Sequence, residues 1–169
     1  MKTIILKNGL IGGLIVSAFM IYGTVSLMND PDFQPNYVLG FGGMILAFLF
    51  IFTGVFQYRR ENNGTVSFKK ALVLGVLIAL LISTIYVLIW LIEYYTFFPD
   101  FIEKYGQFQL EEAKKTITDP ELLAQKEEEI KQFGELYKNP VMVIVITYTE
   151  ILPLGLVFAL IAALVFKKK

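Results

Sequence analysis

Long uncharged runs, separated by short charged ones, organise this chain. Between Lys7 and Asp30 lie 22 residues without a formal charge, between Asp32 and Arg59 there are 26, and between Lys70 and Glu93 again 22. A fourth run of 28, from Lys138 to Lys167, is interrupted only by Glu150. A helix needs about 20 mainly apolar residues to cross the hydrocarbon core of a bilayer, so each run is long enough. The pattern predicts an all-α membrane protein, a single domain over residues 1–169, with four transmembrane helices near 9–28, 38–58, 71–92 and 141–166. The first is expected to stay uncleaved, because its apolar run exceeds that of a signal peptide and no A-x-A-like site closes it.

The segment 93–140 reads differently. Pro99 ends the third helix, and Asp100 with Glu103 forms a D-x-x-E capping pattern. A helix from about 100 to 117 would align Phe101, Tyr105, Phe108 and Ala113 along one side. Thr118, Asp119, Pro120 and Glu121 signal a second start, with Pro120 suited to the first turn. Leu123, Ile130, Phe133 and Tyr137 then share one helical face, and Gly134 weakens the helix near its end. Asn139-Pro140 reads as the cap and first turn of the fourth span. An amphipathic helical hairpin is therefore expected between the third and fourth spans. Its apolar faces would meet each other, the membrane interface or a partner protein. The Glu127-Glu128-Glu129 run reads as a solvated face, since consecutive side chains cannot converge on one ion.

Basic residues set the expected orientation. Lys2, Lys7, Arg59, Arg60, Lys69, Lys70 and Lys167 to Lys169 make nine positive charges on one side, against the single acid Glu61. The segment 93–140 carries six lysines and eleven acids, and the first loop on that side carries Asp30 and Asp32. Positive-inside counting leaves the hairpin extracytoplasmic and both termini cytoplasmic. Tyr37, Trp90, Tyr94, Tyr95 and Tyr137 fall near the same expected interface, with Tyr58 at the opposite one. In the short loop 59–70, Asn63-Gly64 signals a turn and Ser67 is placed to cap the third span. The four basic side chains of that loop can also meet anionic headgroups. Asn63-Gly64-Thr65 matches the glycosylation triplet, but a cytoplasmic loop is not a substrate for it.

Small residues recur at four-residue spacing: Gly9, Gly13 and Ser17; Gly43 and Ala47; Ala71, Gly75, Ala79 and Ser83; Gly155, Ala159 and Ala163. Such ridges let helix backbones approach in lipid, either within one bundle or between two copies of the chain. Gly40-Phe41-Gly42-Gly43 is not a dinucleotide loop, because Ile45 stands where a glycine is required and no strand precedes it.

Composition narrows the chemistry. The chain is 56% hydrophobic and 18% charged, with a mean hydropathy of +0.61 and no net charge. That leans towards lipid and gives nucleic acid no overall attraction. No histidine or cysteine is present. Disulfides, thiol nucleophiles, Ser-His-Asp triads and zinc or haem sites built on those side chains are excluded. The four serines, Ser17, Ser26, Ser67 and Ser83, have no lysine beside them in a span. An enzyme is not expected, and no catalytic, cofactor-binding or metal-binding residue is assigned.

Glu150 is the exception in the spans. It lies about 14 Å below the expected boundary, at about 1.5 Å per residue. A lone carboxylate at that depth calls for protonation or a partner, and no span offers a lysine or arginine. Tyr22, Thr84 and Tyr86 stand at comparable depth as hydrogen-bond partners. Pro153, three residues on, predicts a local helix break beside the acid. Two uses are open: a proton or cation site at a broken helix, or a neutral acid pinning two helices.

Several segments resemble a bacterial integral-membrane family catalogued as domain of unknown function 4199. They are the turn from Arg59-Arg60 to Gly64, the Val66-Ser67-Phe68-Lys69-Lys70-Ala71 entry to the third span, and the acidic helical loop after it. Tyr137-Lys138-Asn139-Pro140 and the closing stretch from Ile161 to Lys169 also fit. The resemblance implies a four-span protein of the bacterial inner membrane and lends no activity or site residues. With no chemistry in view, a non-catalytic interaction or regulatory role through the hairpin is expected, with a membrane or periplasmic protein meeting residues 100–137. The alternative is a transporter or channel subunit that forms a homo-oligomer around Glu150.

Overall fold

The computed structural model describes residues 1–30 and 37–168. Asp32 and Lys169, which enter the charge pattern, lie outside the described residues, as does the side chain of Tyr37. Six α-helices follow in order: α1 (Lys2–Asn29), α2 (Tyr37–Glu61), α3 (Phe68–Ile92), α4 (Phe101–Thr116), α5 (Pro120–Tyr137) and α6 (Pro140–Phe166). No strand occurs among the described residues, only an isolated antiparallel bridge between Val66 and Lys168. Four of the helices, α1, α2, α3 and α6, are long and apolar enough to cross a membrane. Less than half of the most apolar stretch of each is buried inside the bundle. What remains, including Leu14, Leu46, Leu88 and Val165, is an apolar outer surface fit for lipid.

α3 holds the bundle together. It packs most extensively on α6 and α1 and also meets α2, while α2 in turn packs on α1 and α6. Small residues make these approaches possible. A Cβ added to Gly75 would sit 3.1 Å from the Cα of Ala159, and one on Gly155 would sit 3.0 Å from the Cβ of Ala79. Gly9 and Gly13 face Leu81 and Ile85 in the same way, and Gly43 faces Phe19. Hence all four small-residue ridges are used between helices of one chain. Phe48, Ile51, Leu74, Ile78, Ile82 and Ile151 fill the centre and are fully buried. Phe52 meets both Phe158 and Phe166 edge-on, which fastens α2 to α6.

A cluster of polar contacts lies inside this apolar setting. Asn8 is 2% exposed; its amide donates to the carbonyl of Ile4 and to Gln57 Oε1 at 3.1 Å, and its oxygen accepts from the Thr53 hydroxyl. α1 and α2 are thus clamped near the end of the bundle opposite the hairpin. A polar residue next to Lys7 reads in the sequence as the edge of a span, which conceals this role.

Local signals explain most helix boundaries. Ser67 accepts from the Lys70 N–H, Asp119 from the Glu121 N–H and Asn139 from the Val141 N–H, each capping the helix that follows. Asn63 and Gly64 take positive φ values of 53° and 76°, so the turn between α2 and α3 is left-handed at two successive residues. Asp100 departs from expectation. Its carboxylate makes no cap bond and instead pairs with Lys104 at 3.3 Å. The reason lies just before it: after a widened π turn at Glu93–Phe97, the Phe101 N–H closes on the Phe98 carbonyl at 3.0 Å, a turn with Pro99 second and Asp100 third. The chain therefore enters α4 with Asp100 outside the extended backbone geometry of a capping residue.

α4 and α5 pack antiparallel as a hairpin, with Gly106 against Ile130 and Gly134 against Ile102. The tight approach is at Gly106, where an added Cβ would lie 3.2 Å from Ile130; at Gly134 it would make ordinary contact with Ile102 at 3.8 Å.

Substituting Gly75→Leu forces α3 and α6 apart and is expected to destabilise the fold by about 1–3 kcal/mol. Gly42→Ala, where nothing lies within 4 Å, is expected to be neutral or slightly stabilising. Equilibrium unfolding of both variants in detergent micelles checks the contrast. A double-mutant cycle on Asn8→Val and Thr53→Val should return a coupling of about 0.6–1.7 kcal/mol.

Candidate functional site

The hairpin does not lie flush on the bundle. Between them is a cleft of about 620 Å³. Ile146, Thr147, Thr149 and Glu150 of α6 form part of its wall, with Tyr86 and Trp90 of α3 and Met20 and Thr24 of α1 beside them. The hairpin supplies the facing wall through Phe101 and Tyr105 of α4 and Ile130, Phe133 and Tyr137 of α5. Lys126 and Glu129 also border it and pair with each other at 3.0 Å. α4 therefore has two working sides. Ile102 and Gly106 meet α5, while Phe101 and Tyr105 turn towards the cleft.

An aromatic cluster fixes the root of the hairpin. Trp90 meets Phe101 edge-on at 4.8 Å and stacks with Tyr94 at 5.9 Å. Tyr137 meets Tyr94 at 5.6 Å and Phe133 at 4.9 Å. These contacts join the end of α3 to the start of α4 and the end of α5. The indole N–H of Trp90 nevertheless has no partner in full hydrogen-bond geometry, although it and Thr147 lie close enough to the Tyr137 hydroxyl to favour its phenolate.

Glu150 opens into the cleft, and no hydrogen bond to its carboxylate forms among the described residues. Of its three expected partners, the structure brings only Tyr86 into the same cavity. Tyr86 is 8% exposed and lies within electrostatic reach of Glu150. Thr84 is engaged elsewhere: its hydroxyl bonds to the Leu80 carbonyl at 2.7 Å and to the Tyr148 hydroxyl at 2.8 Å. Tyr22 is 57% exposed on the outside of α1 and does not border the cleft. Comparable depth says nothing about which way a helix turns its side chains, and that is why two of the three were misassigned.

Pro153 also differs from expectation. α6 runs uninterrupted from Pro140 to Phe166 through it. One backbone hydrogen bond is lost there, but packing on both sides persists, with Ile151 and Ala159 fully buried and Gly155 seated against Phe48. The helix break is therefore absent.

Two groups near the cleft escape the sequence reading. Tyr137 is expected from the sequence on the apolar face of the second hairpin helix and near the interface, and not as part of a cavity with Glu150. Glu93 was expected as the end of the third span, yet it is 6% exposed and one of its carboxylate oxygens has no partner. The aromatic run Tyr94, Tyr95, Phe97 and Phe98 extends the apolar surroundings past Glu93, and this is the signal that marks it.

Four membrane-length helices with an apolar exterior define a multi-pass helical membrane protein. The chain belongs to the family described as "Protein of unknown function (DUF4199)", whose model matches residues 7–168. No curated protein and no solved structure matches it.

Tyr137 provides a titration test. Burial, and secondarily the charge of Glu150, push its phenol up to about 12, against the opposing pull of the nearby Thr147 hydroxyl and Trp90 N–H. The neutral phenol is thus favoured in the folded state. Its contribution to stability is complete below about pH 10, the ordinary tyrosine value, and is lost as pH climbs through the folded value. Phenolate absorbance of the parent should contain a late component that disappears in Tyr137→Phe.

Proposed function

We propose that this chain is a non-catalytic interaction or regulatory component of the bacterial inner membrane, acting through the α4–α5 hairpin. One observation carries the reading: the hairpin is fixed at its root and exposed elsewhere. Trp90, Tyr94, Phe101 and Tyr137 hold the root, whereas Glu127, Glu128 and Glu129 are exposed and Leu122 is 53% exposed near the tip. A rigidly mounted polar element with an exposed leucine suits contact with a membrane or periplasmic protein. The hairpin is read as extracytoplasmic, with both termini cytoplasmic, on the asymmetry of basic residues.

A second reading draws on Glu150 at the cleft: a transporter or channel subunit that uses this acid as a proton or cation site within a homo-oligomer. The continuous α6 removes the broken helix that had supported it. Unchanged proton and solute flux in Glu150→Gln would remove the rest.

Because the chain contains no cysteine, a single Gln125→Cys on exposed α5 gives a clean reporter. An impermeant maleimide is expected to label it in intact cells. Labelling only after detergent would reverse the orientation. Crosslinking from the same position, read by mass spectrometry, is expected to capture a different protein, and an adduct solely to the chain itself would favour the oligomeric reading.

A further inference from the structure

We infer that the cleft binds an organic ammonium group carried on an alkyl chain, with Glu150 pairing the ammonium and the apolar space beside it taking the chain. This goes beyond the hairpin reading and does not depend on it. The first ground is an acid without a cation. Glu150 opens into the cleft, while Lys126, which also borders it, is committed to Glu129 at 3.0 Å. The Glu150 side chain is exposed towards the cleft rather than packed, so a cation entering there can reach it, and the chain supplies no lysine or arginine from its spans.

The second ground is the kind of cation that the walls suit. Calcium and magnesium require six or more oxygen ligands, and no three acidic, histidine or cysteine side chains gather as a metal site among the described residues. An ammonium needs only one carboxylate and the faces of aromatic rings. Phe101 and Phe133 border the same cleft as the acid and are only half buried, so part of each ring is exposed.

The third ground is a second cavity of about 230 Å³, which shares Met20, Thr24, Tyr86 and Glu150 with the first. Its further walls include Val16, Phe19 and Met44, and among the described residues no charged side chain besides Glu150 lines it. An apolar slot that begins at a carboxylate suits an amphiphile. An inorganic cation would leave the slot unused, and a neutral chain would leave Glu150 unpaired.

The test uses the full chain in maltoside micelles, whose headgroups carry no ammonium. Trp90, the single tryptophan, stands in the cleft wall and serves as the reporter. Dodecylamine should change its emission saturably, and dodecanol at equal concentration should not. Glu150→Gln should raise the apparent Kd by about tenfold or more, whereas Glu150→Asp, which keeps the carboxylate, should stay within a few-fold of the parent. Circular dichroism verifies that both variants remain helical. An equal response to dodecanol would overturn the inference, as would unchanged affinity in a folded Glu150→Gln. If that variant fails to fold, the dodecanol comparison and the aspartate variant still decide. Added phosphatidylethanolamine then separates the sources. Competition identifies a membrane aminolipid as a ligand; dodecylamine binding that persists against it identifies a free amphiphilic amine. Either result supports ammonium recognition.

Discussion

The contact between α3 and α6 is the constraint from which the rest of the architecture follows. In lipid, two apolar helices gain nothing from avoiding water, so they associate only where their surfaces fit closely. Gly75 against Ala159 and Ala79 against Gly155 provide that fit at two successive levels. With α6 drawn in on one side, α3 still offers Leu81 and Ile85 to the glycines of α1 on another. A bulkier ridge would leave α3 unable to serve both neighbours. The position of Glu150 depends on the same contact, because the register of α6 against α3 sets Glu150 and Tyr86 around one cavity.

A division of labour runs along the bundle. Towards the end opposite the hairpin, cohesion combines close apolar packing with the Asn8, Thr53 and Gln57 clamp. At the hairpin end, aromatic rings replace small residues, and the packing opens into the cleft. Rings cover large areas at fixed angles but do not interdigitate as finely as glycine and alanine ridges. A cavity beside them is a natural result. Of the polar groups that border it, Thr147, Tyr86 and Tyr137 stay buried, and Glu150 alone of these four is exposed to the cleft.

Much of the fold was legible in the sequence because the bilayer imposes a coarse rule. Charge gaps mark helices long enough to cross it, and Ser67, Asp119 and Asn139 announce helix starts through bonds made within two or three residues. The site was less legible because its features depend on rotation and register. Tyr22 and Tyr86 stand at comparable expected depths, yet one lies on the outside and the other is buried at the cleft. Asn8 falls just outside the expected first span and is nonetheless a buried link. Pro153 looked like a break because a local rule counts the missing N–H but not the packing around it. Asp100 makes no cap bond because, after the widened turn Glu93–Phe97, it sits third in the Phe98–Phe101 turn and takes the backbone angles of that position.

That widened turn, Glu93–Phe97, has a wider consequence. Each residue of an α-helix advances the chain by about 100° around its axis, so one residue more or less resets the direction of everything that follows. The turn thus acts as a phase setter between the spans and the hairpin, and its length is under tighter constraint than its composition. A side chain of the turn that stays outside the aromatic cluster, such as exposed Thr96, can be exchanged while Phe101 still finds Trp90. An insertion or deletion would swing α4 to a different bearing, and with it the whole wall that the hairpin presents to Glu150.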